Sequence, residues 1–159
     1  MLDDDAIARY ARQIVVPGIG AAGQGKLFAS AALVLGNGRG CEQAALYLTA
    51  AGVRVFVKPQ DLPAATTIDV AIACDATALD DAAHASLLGW NAPVCWYVLD
   101  RGGFTSGVHP DAQLPAAAPR TLDGATDALH DAAACDVAAV ACAILVGLPW
   151  RPGLFHFEI

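Results

Sequence analysis

The chain is 159 residues long, 56% hydrophobic, with 16 acidic and 9 basic side chains and a formal net charge of −7. That length suits one domain with a sizeable core. The acidic balance, with its basic residues scattered along the chain, argues against a nucleic-acid partner, because phosphate backbones would be repelled.

The first residues carry Asp3, Asp4 and Asp5 where a secretory signal would be basic, which leads to the expectation of a cytoplasmic protein. The same acids can cap a helix, after which Ile7, Tyr10 with Ala11, and Ile14 fall on one face. Pro17 ends it. Arg9 and Arg12 share one side at i, i+3, and spacing alone reads them as solvated. Residues 17–25, PGIGAAGQG, read as a glycine-rich connector, and 26–30 as a short lead into the first strand.

The most informative stretch is 31–52, AALVLGNGRGCEQAALYLTAAG. Residues 31–35 have the length of a buried strand, Gly36, Asn37, Gly38, Arg39 and Gly40 form a glycine-dense turn, and 41–51 place Cys41, Ala44 with Ala45, Leu48 and Ala51 at helical spacing. Gly52 reads as the C-cap. Strand, glycine turn and helix in that order begin a nucleotide-binding βαβ unit, in which free N–H groups at the helix N-terminus face a phosphate.

Residues 53–57 read as a second strand ending on Lys58, where a dinucleotide site would place an acid for the ribose hydroxyls. The next strand, 69–74, follows too soon for a helical crossover. A helix is expected over 78–88, strands over 93–99 and 104–108 around the turn Arg101-Gly102-Gly103, a proline-rich loop over 111–120, a long helix over 123–146 and a final strand over 154–159. The most apolar window, 133–148, is shorter than the roughly 20 residues that cross a bilayer and contains Asp136, so no membrane span is expected. Five cysteines without a C-x-x-C pair and four histidines without ligand spacing predict buried thiols and no metal, zinc included.

The segments RYARQI at 9–14, PGIG at 17–20, Gly23-Gln24, Leu27, LVLGNGRG at 33–40 and ALYLTAAGV at 45–53 together resemble the N-terminal third of the ThiF/MoeB/HesA family of ubiquitin-activating-type adenylyltransferases. The similarity continues more faintly through IDVAIACDAT, GGFTSGVHP and the C-terminal helix. It implies an α/β fold: a single Rossmann-like domain over 1–159, with a mostly parallel sheet flanked by helices and a long C-terminal helix. It also implies ATP on the glycine turn (Gly36, Gly38, Arg39, Gly40), with Lys58 beyond the second strand. A magnesium aspartate falls near Asp75, and Arg12 matches an arginine that reaches into a partner subunit. The substrate of the resembled family is the C-terminal carboxylate of a small ubiquitin-like sulfur carrier.

Against that pattern, Arg39 and Gly40 replace a glycine and a hydrophobic residue, Cys41 replaces the third glycine, and the ribose acid is absent. The crossover between Lys58 and Asp69 and the zinc-binding cysteine pairs are missing, and the magnesium position falls on Ala76 with Asp75 one place off. Adenylyl transfer depends on positioning and charge stabilisation, so these losses predict a degenerate member that binds ATP weakly or not at all. The expected role is a non-catalytic partner, homodimeric or heterodimeric with a paralogue, that serves a ubiquitin-like protein. The apolar girth of the long helix between Val137 and Val146 suggests a dimer surface near Arg9 or Arg12. The alternatives are residual adenylylation using Arg12, Arg39 and Asp75, and a dinucleotide site in which Lys58 neutralises a 2′-phosphate.

Overall fold

The computed structural model describes residues 2–100, 103–110, 113–115, 127–150 and 153–158. The expected turn residues Arg101 and Gly102, most of the loop 111–120 and the first residues, 123–126, of the expected long helix lie outside them. In chain order the elements are α1 (Asp4–Ile14), α2 (Gly20–Ala29), β1 (Ala31–Leu35), α3 (Arg39–Ala51), β2 (Arg54–Phe56), β3 (Val70–Ala73), α4 (Asp81–Gly89), β4 (Val94–Asp100), β5 (Gly103–His109), α5 (Asp127–Val146) and β6 (Phe155–Glu158).

They form one six-stranded sheet in the order β2-β1-β3-β4-β5-β6. The first four strands pair parallel, while β5 and β6 add on antiparallel. The mostly parallel α/β sheet expected from the sequence is therefore present. Side chains alternate between two layers, as the strand period requires. Ala32, Val34, Val70, Ile72, Cys95, Tyr97 and Leu99 face α3 and α5. Leu33, Ala71, Ala73, Val94, Trp96 and Val98 face the other way, toward Leu79 and Leu87. Between β2 and β3 the only helical element is a 3₁₀ turn at Pro59–Asp61, so the crossover carries no α-helix, as its length dictates.

The glycine-rich stretch 17–25 is not a connector: from Gly20 onward it is helix α2. Glycine is a poor helix former, so this helix depends on what it touches. Gly23 lies against Ile19 and Val146. The fully buried Gln24 donates from Nε2 to the carbonyl of Ala51 at 2.8 Å, and Lys26 Nζ donates to the carbonyl of Val146 at 2.8 Å. Those carbonyls lie at the C-terminal ends of α3 and α5, where four acceptors per helix have no intrahelical partner. Gln13 of α1 adds a third such bond, to Ala50 at 3.1 Å. Gly52 closes α3 in the left-handed region (φ 95°), with the Val53 N–H returned to the carbonyl of Leu48.

Helix α5 has 20 residues, longer than the apolar window suggests, and is the one described helix long and apolar enough to cross a membrane. It packs on β3, β4 and β5, with its Asp136 carboxylate accepting from the Ser106 hydroxyl at 2.6 Å. Val140, Cys142, Ile144 and Leu145, within the stretch whose apolar girth suggested a dimer surface, are partly buried and pack against the core. The exposed large apolar side chains among the described residues include Ile7, Val15, Val16, Leu46 and Tyr47, on α1, the turn after it and α3.

Candidate functional site

The C-terminal ends of β1, β2 and β3 open on one cleft, the place where α/β sheets of this type bind ligands. It has a volume of about 420 Å³ and is lined by Leu35, Gly36 and Asn37 after β1, by the stretch from Val57 to Gln60 after β2, and by Ala78, Leu79, Asp80 and Ala83 before and within α4. That is within the range of small-molecule sites, roughly 300–1,000 Å³. Of the expected site residues, the fold brings Gly36 and Lys58 to this cleft. Among the described residues, Lys58 is the only basic side chain in its lining.

The other residues of the glycine turn serve different neighbours. Gly38 begins α3 without a side-chain cap, so the first-turn N–H groups stay available to an acceptor. Arg39 turns away, toward α5: its Nε donates to Asp131 Oδ1 at 2.7 Å and its Nη2 to Asp131 Oδ2 at 2.6 Å, with Asp127 at 3.6 Å. This fork-to-carboxylate geometry is the strong form of the ion pair. The hydrogen bond from Arg39 holds the Asp131 carboxyl below its usual range, and Asp131 in turn raises the Arg39 guanidinium. Glu42 puts a further negative charge in the first turn of α3.

Gly40 and Cys41 rest on the protein interior. A Cβ at Gly40 would fall on the Tyr97 hydroxyl and come within 3.2 Å of His130 Nδ1. That Nδ1 is buried without a hydrogen-bond partner among the described residues. Cys41, Cys74 and Tyr97 share the core layer between the sheet and α3. Hydrogen bonding from Cys74 moves the Cys41 thiol down, the same contact together with burial moves Cys74 up, and burial moves Tyr97 up.

Asp75 follows β3 in a left-handed conformation (φ 47°), unusual outside glycine though least so for Asp and Asn, and its Oδ1 accepts from Thr77 Oγ1 at 3.2 Å. It is not part of the cleft lining. Arg12 is exposed on α1, which packs against α2 and contributes nothing to the cleft.

Sequence reasoning missed Asp80, the one carboxylate in the cleft lining among the described residues. The helix was expected from residue 78, but Asp80 is its N-cap, accepting from the Ala83 N–H at 2.7 Å, and α4 starts behind it. An Asp followed by a second acid at 81 was the available signal.

No protein-family model matches the chain. A 53-residue segment, 33% of the chain, is 53% identical to the adenylyltransferase and sulfurtransferase MOCS3 of Anopheles gambiae and 51% identical to that of Drosophila willistoni. The matches span 12% and 11% of those proteins' own lengths. Among solved structures, the crystal structure of selenomethionine PaaA superposes with a TM-score of 0.68 over 99% of this chain and 72% of that one, at 13% identity. The chain therefore carries a ThiF/MoeB-like region in a Rossmann-like α/β fold.

Proposed function

We propose that this ThiF/MoeB-like chain is a non-catalytic, dimeric partner in the activation of a ubiquitin-like protein or sulfur carrier. The observation that carries the reading is the position of Arg39. It is held by Asp131 and Asp127 of α5, which leaves Lys58 as the only cation lining the cleft among the described residues. Adenylyl transfer needs a bound triphosphate whose charge is neutralised by metal and several basic groups. A carboxylate holds magnesium well only when the substrate phosphates complete the octahedron. Asp75 accepts from Thr77 and lies outside the cleft lining among the described residues.

Calorimetric titration with ATP, with and without magnesium, is expected to give a Kd of about a millimolar or weaker, a binding free energy of no more than about 4 kcal/mol. Pyrophosphate release with a ubiquitin-like acceptor is expected to stay at background, unchanged by Asp75→Ala. Micromolar ATP binding with turnover lost in Asp75→Ala would establish the adenylyltransferase instead. Micromolar NADP binding would establish the dinucleotide site.

Partner binding is supported by the surface that α1 leaves open. Ile7 (47% exposed), Val15 (77%) and Val16 (42%) stand beside Arg9 and Arg12, next to an apolar groove between α1 and α2 lined by Leu2, Ile14, Ala22 and Phe28. Exposed apolar side chains together with an apolar groove are features of interaction sites. Light scattering is expected to give a dimer at micromolar concentration, with an interface of at least about 1,200 Å². A monomer would reject self-association, and a monomer that also fails to bind a ubiquitin-like sulfur carrier would reject the partner role.

A further inference from the structure

We propose that the exposed face of α1 pairs antiparallel with the same face of a second copy of this chain, about a two-fold axis at Ala8, so that Asp4 of each copy meets Arg12 of the other. The arrangement rests on the dimer proposed above and names the surface that forms it.

Helix α1 packs on the rest of the chain along one side. Tyr10 is its one buried residue, edge-on to Phe28 of α2, and Ala6, Gln13 and Ile14 are half-buried around it. The opposite side carries Asp4, Ala8, Ala11 and Val15 at i, i+4, i+7 and i+11, the spacing of a single helical face, with Arg12 one turn beyond Ala8. All five are exposed. So is Ile7 at the edge of that face, where the groove between α1 and α2 begins.

The charges of this face select its occupant. Helix α1 has acids in its first turn and Arg12 in its last. Within the helix these ends are unmatched: Ile7 and Ala8 stand three and four residues after Asp4, and Arg9 and Ala8 stand three and four before Arg12. Among the described residues neither Asp4 nor Arg12 has an ion-pair partner. An antiparallel copy supplies both partners at once. Asp4 and Arg12 each stand four residues from Ala8, about 6 Å along the axis, so a two-fold axis at Ala8 sets Asp4 against Arg12 of the partner subunit, and does so twice. The two helix dipoles then run head to tail, which adds to the attraction. A parallel pair would instead oppose like charges at both ends.

The shape of the face agrees with its charges. A methyl at Ala8 lets the helix axes approach to about 8 Å. The same register brings Val15, the most exposed of the large apolar side chains, beside Leu2 of the partner subunit at the groove between α1 and α2. Because the contact is isologous it closes on itself as a dimer and does not propagate. The pairing holds Arg12 on the partner's α1 and away from its cleft, in contrast to the role that the family resemblance implies.

The test is sedimentation equilibrium on the intact chain. The wild-type protein is expected to be a dimer, and Asp4→Arg or Arg12→Asp alone to raise its Kd by about 30-fold or more, because each reversal opposes like charges at two symmetry-related places. The two variants mixed are expected to form a heterodimer within about threefold of the wild-type Kd, since one chain then carries two positive charges on this face and the other two negative. Ala8→Cys is expected to give a covalent dimer on mild oxidation, reversed by dithiothreitol, because residues at a close helix crossing fall within the roughly 4.4–6.8 Å that a disulfide spans. The wild-type chain, with its exposed Cys135, is the control. A wild-type dimer whose Kd neither reversal moves would overturn the pairing and leave the dimeric reading standing, whereas a wild-type monomer would reject both. Weakened single variants that do not recover on mixing, or Ala8→Cys that gives no covalent dimer, would also overturn it. The cysteine variant keeps both charges, so it decides the matter even if a reversal prevents folding.

Discussion

Gly40→Ala is expected to destabilise the protein by about 3 kcal/mol, lowering Tm by roughly 6–12 °C. Alanine is the better helix former by about 1 kcal/mol, so propensity alone predicts the opposite sign. The contact below decides it. The new methyl would occupy the place of the Tyr97 hydroxyl, and Tyr97 is 1% exposed on β4, so the ring has nowhere to retreat. Tyr97→Phe provides the control. By itself it removes one buried hydroxyl and should cost no more than about 1 kcal/mol. In its background Gly40→Ala should cost less than about 1 kcal/mol, a coupling of about 2 kcal/mol in a double-mutant cycle read by denaturant unfolding. Equal costs in both backgrounds would place the strain elsewhere, with His130 the next neighbour.

Gln24→Ala is expected to cost about 2–3 kcal/mol. The substitution removes the donor that satisfies the Ala51 carbonyl at the end of α3, and an unsatisfied buried acceptor costs about 1–3 kcal/mol. It also empties a fully buried site beside Phe28 and Gly52. Gln24→Leu separates the two contributions, because it fills the space and leaves the carbonyl bare: a loss of about 1–2 kcal/mol is expected there. A leucine variant as stable as the native protein would show that solvent reaches the carbonyl.

These two residues also mark what the sequence makes legible. The β1–α3–β2 unit could be read directly, because a five-residue apolar run, a glycine turn and Gly52 at the helix end are all local signals. Helix α2 could not. Gly20, Gly23 and Gly25 argue against a helix within any short window, and the groups that hold it, the carbonyls of Ala51 and Val146, lie 27 and 120 residues from their donors. The cleft was half legible. Gly36 and Lys58 follow consecutive strands of a parallel sheet and had to converge, whereas the pairing of Arg39 with Asp131 spans 92 residues and leaves no trace in local spacing. Asp80 escaped for a smaller reason, a helix start placed three residues too early.

The bond from Lys26 to Val146 sets a timetable for the growing chain. A ribosome adding about 5–20 residues per second needs roughly 6–24 s to make the 120 residues between donor and acceptor. Through that interval α2 has only half of its anchorage, with Gln24 able to find Ala51 early and Lys26 still waiting. The first strands and α3 can assemble during synthesis, but their lower layer stays loosely tethered until α5 emerges, and a nascent chain halted before that point should remain open to proteolysis at the glycine-rich stretch.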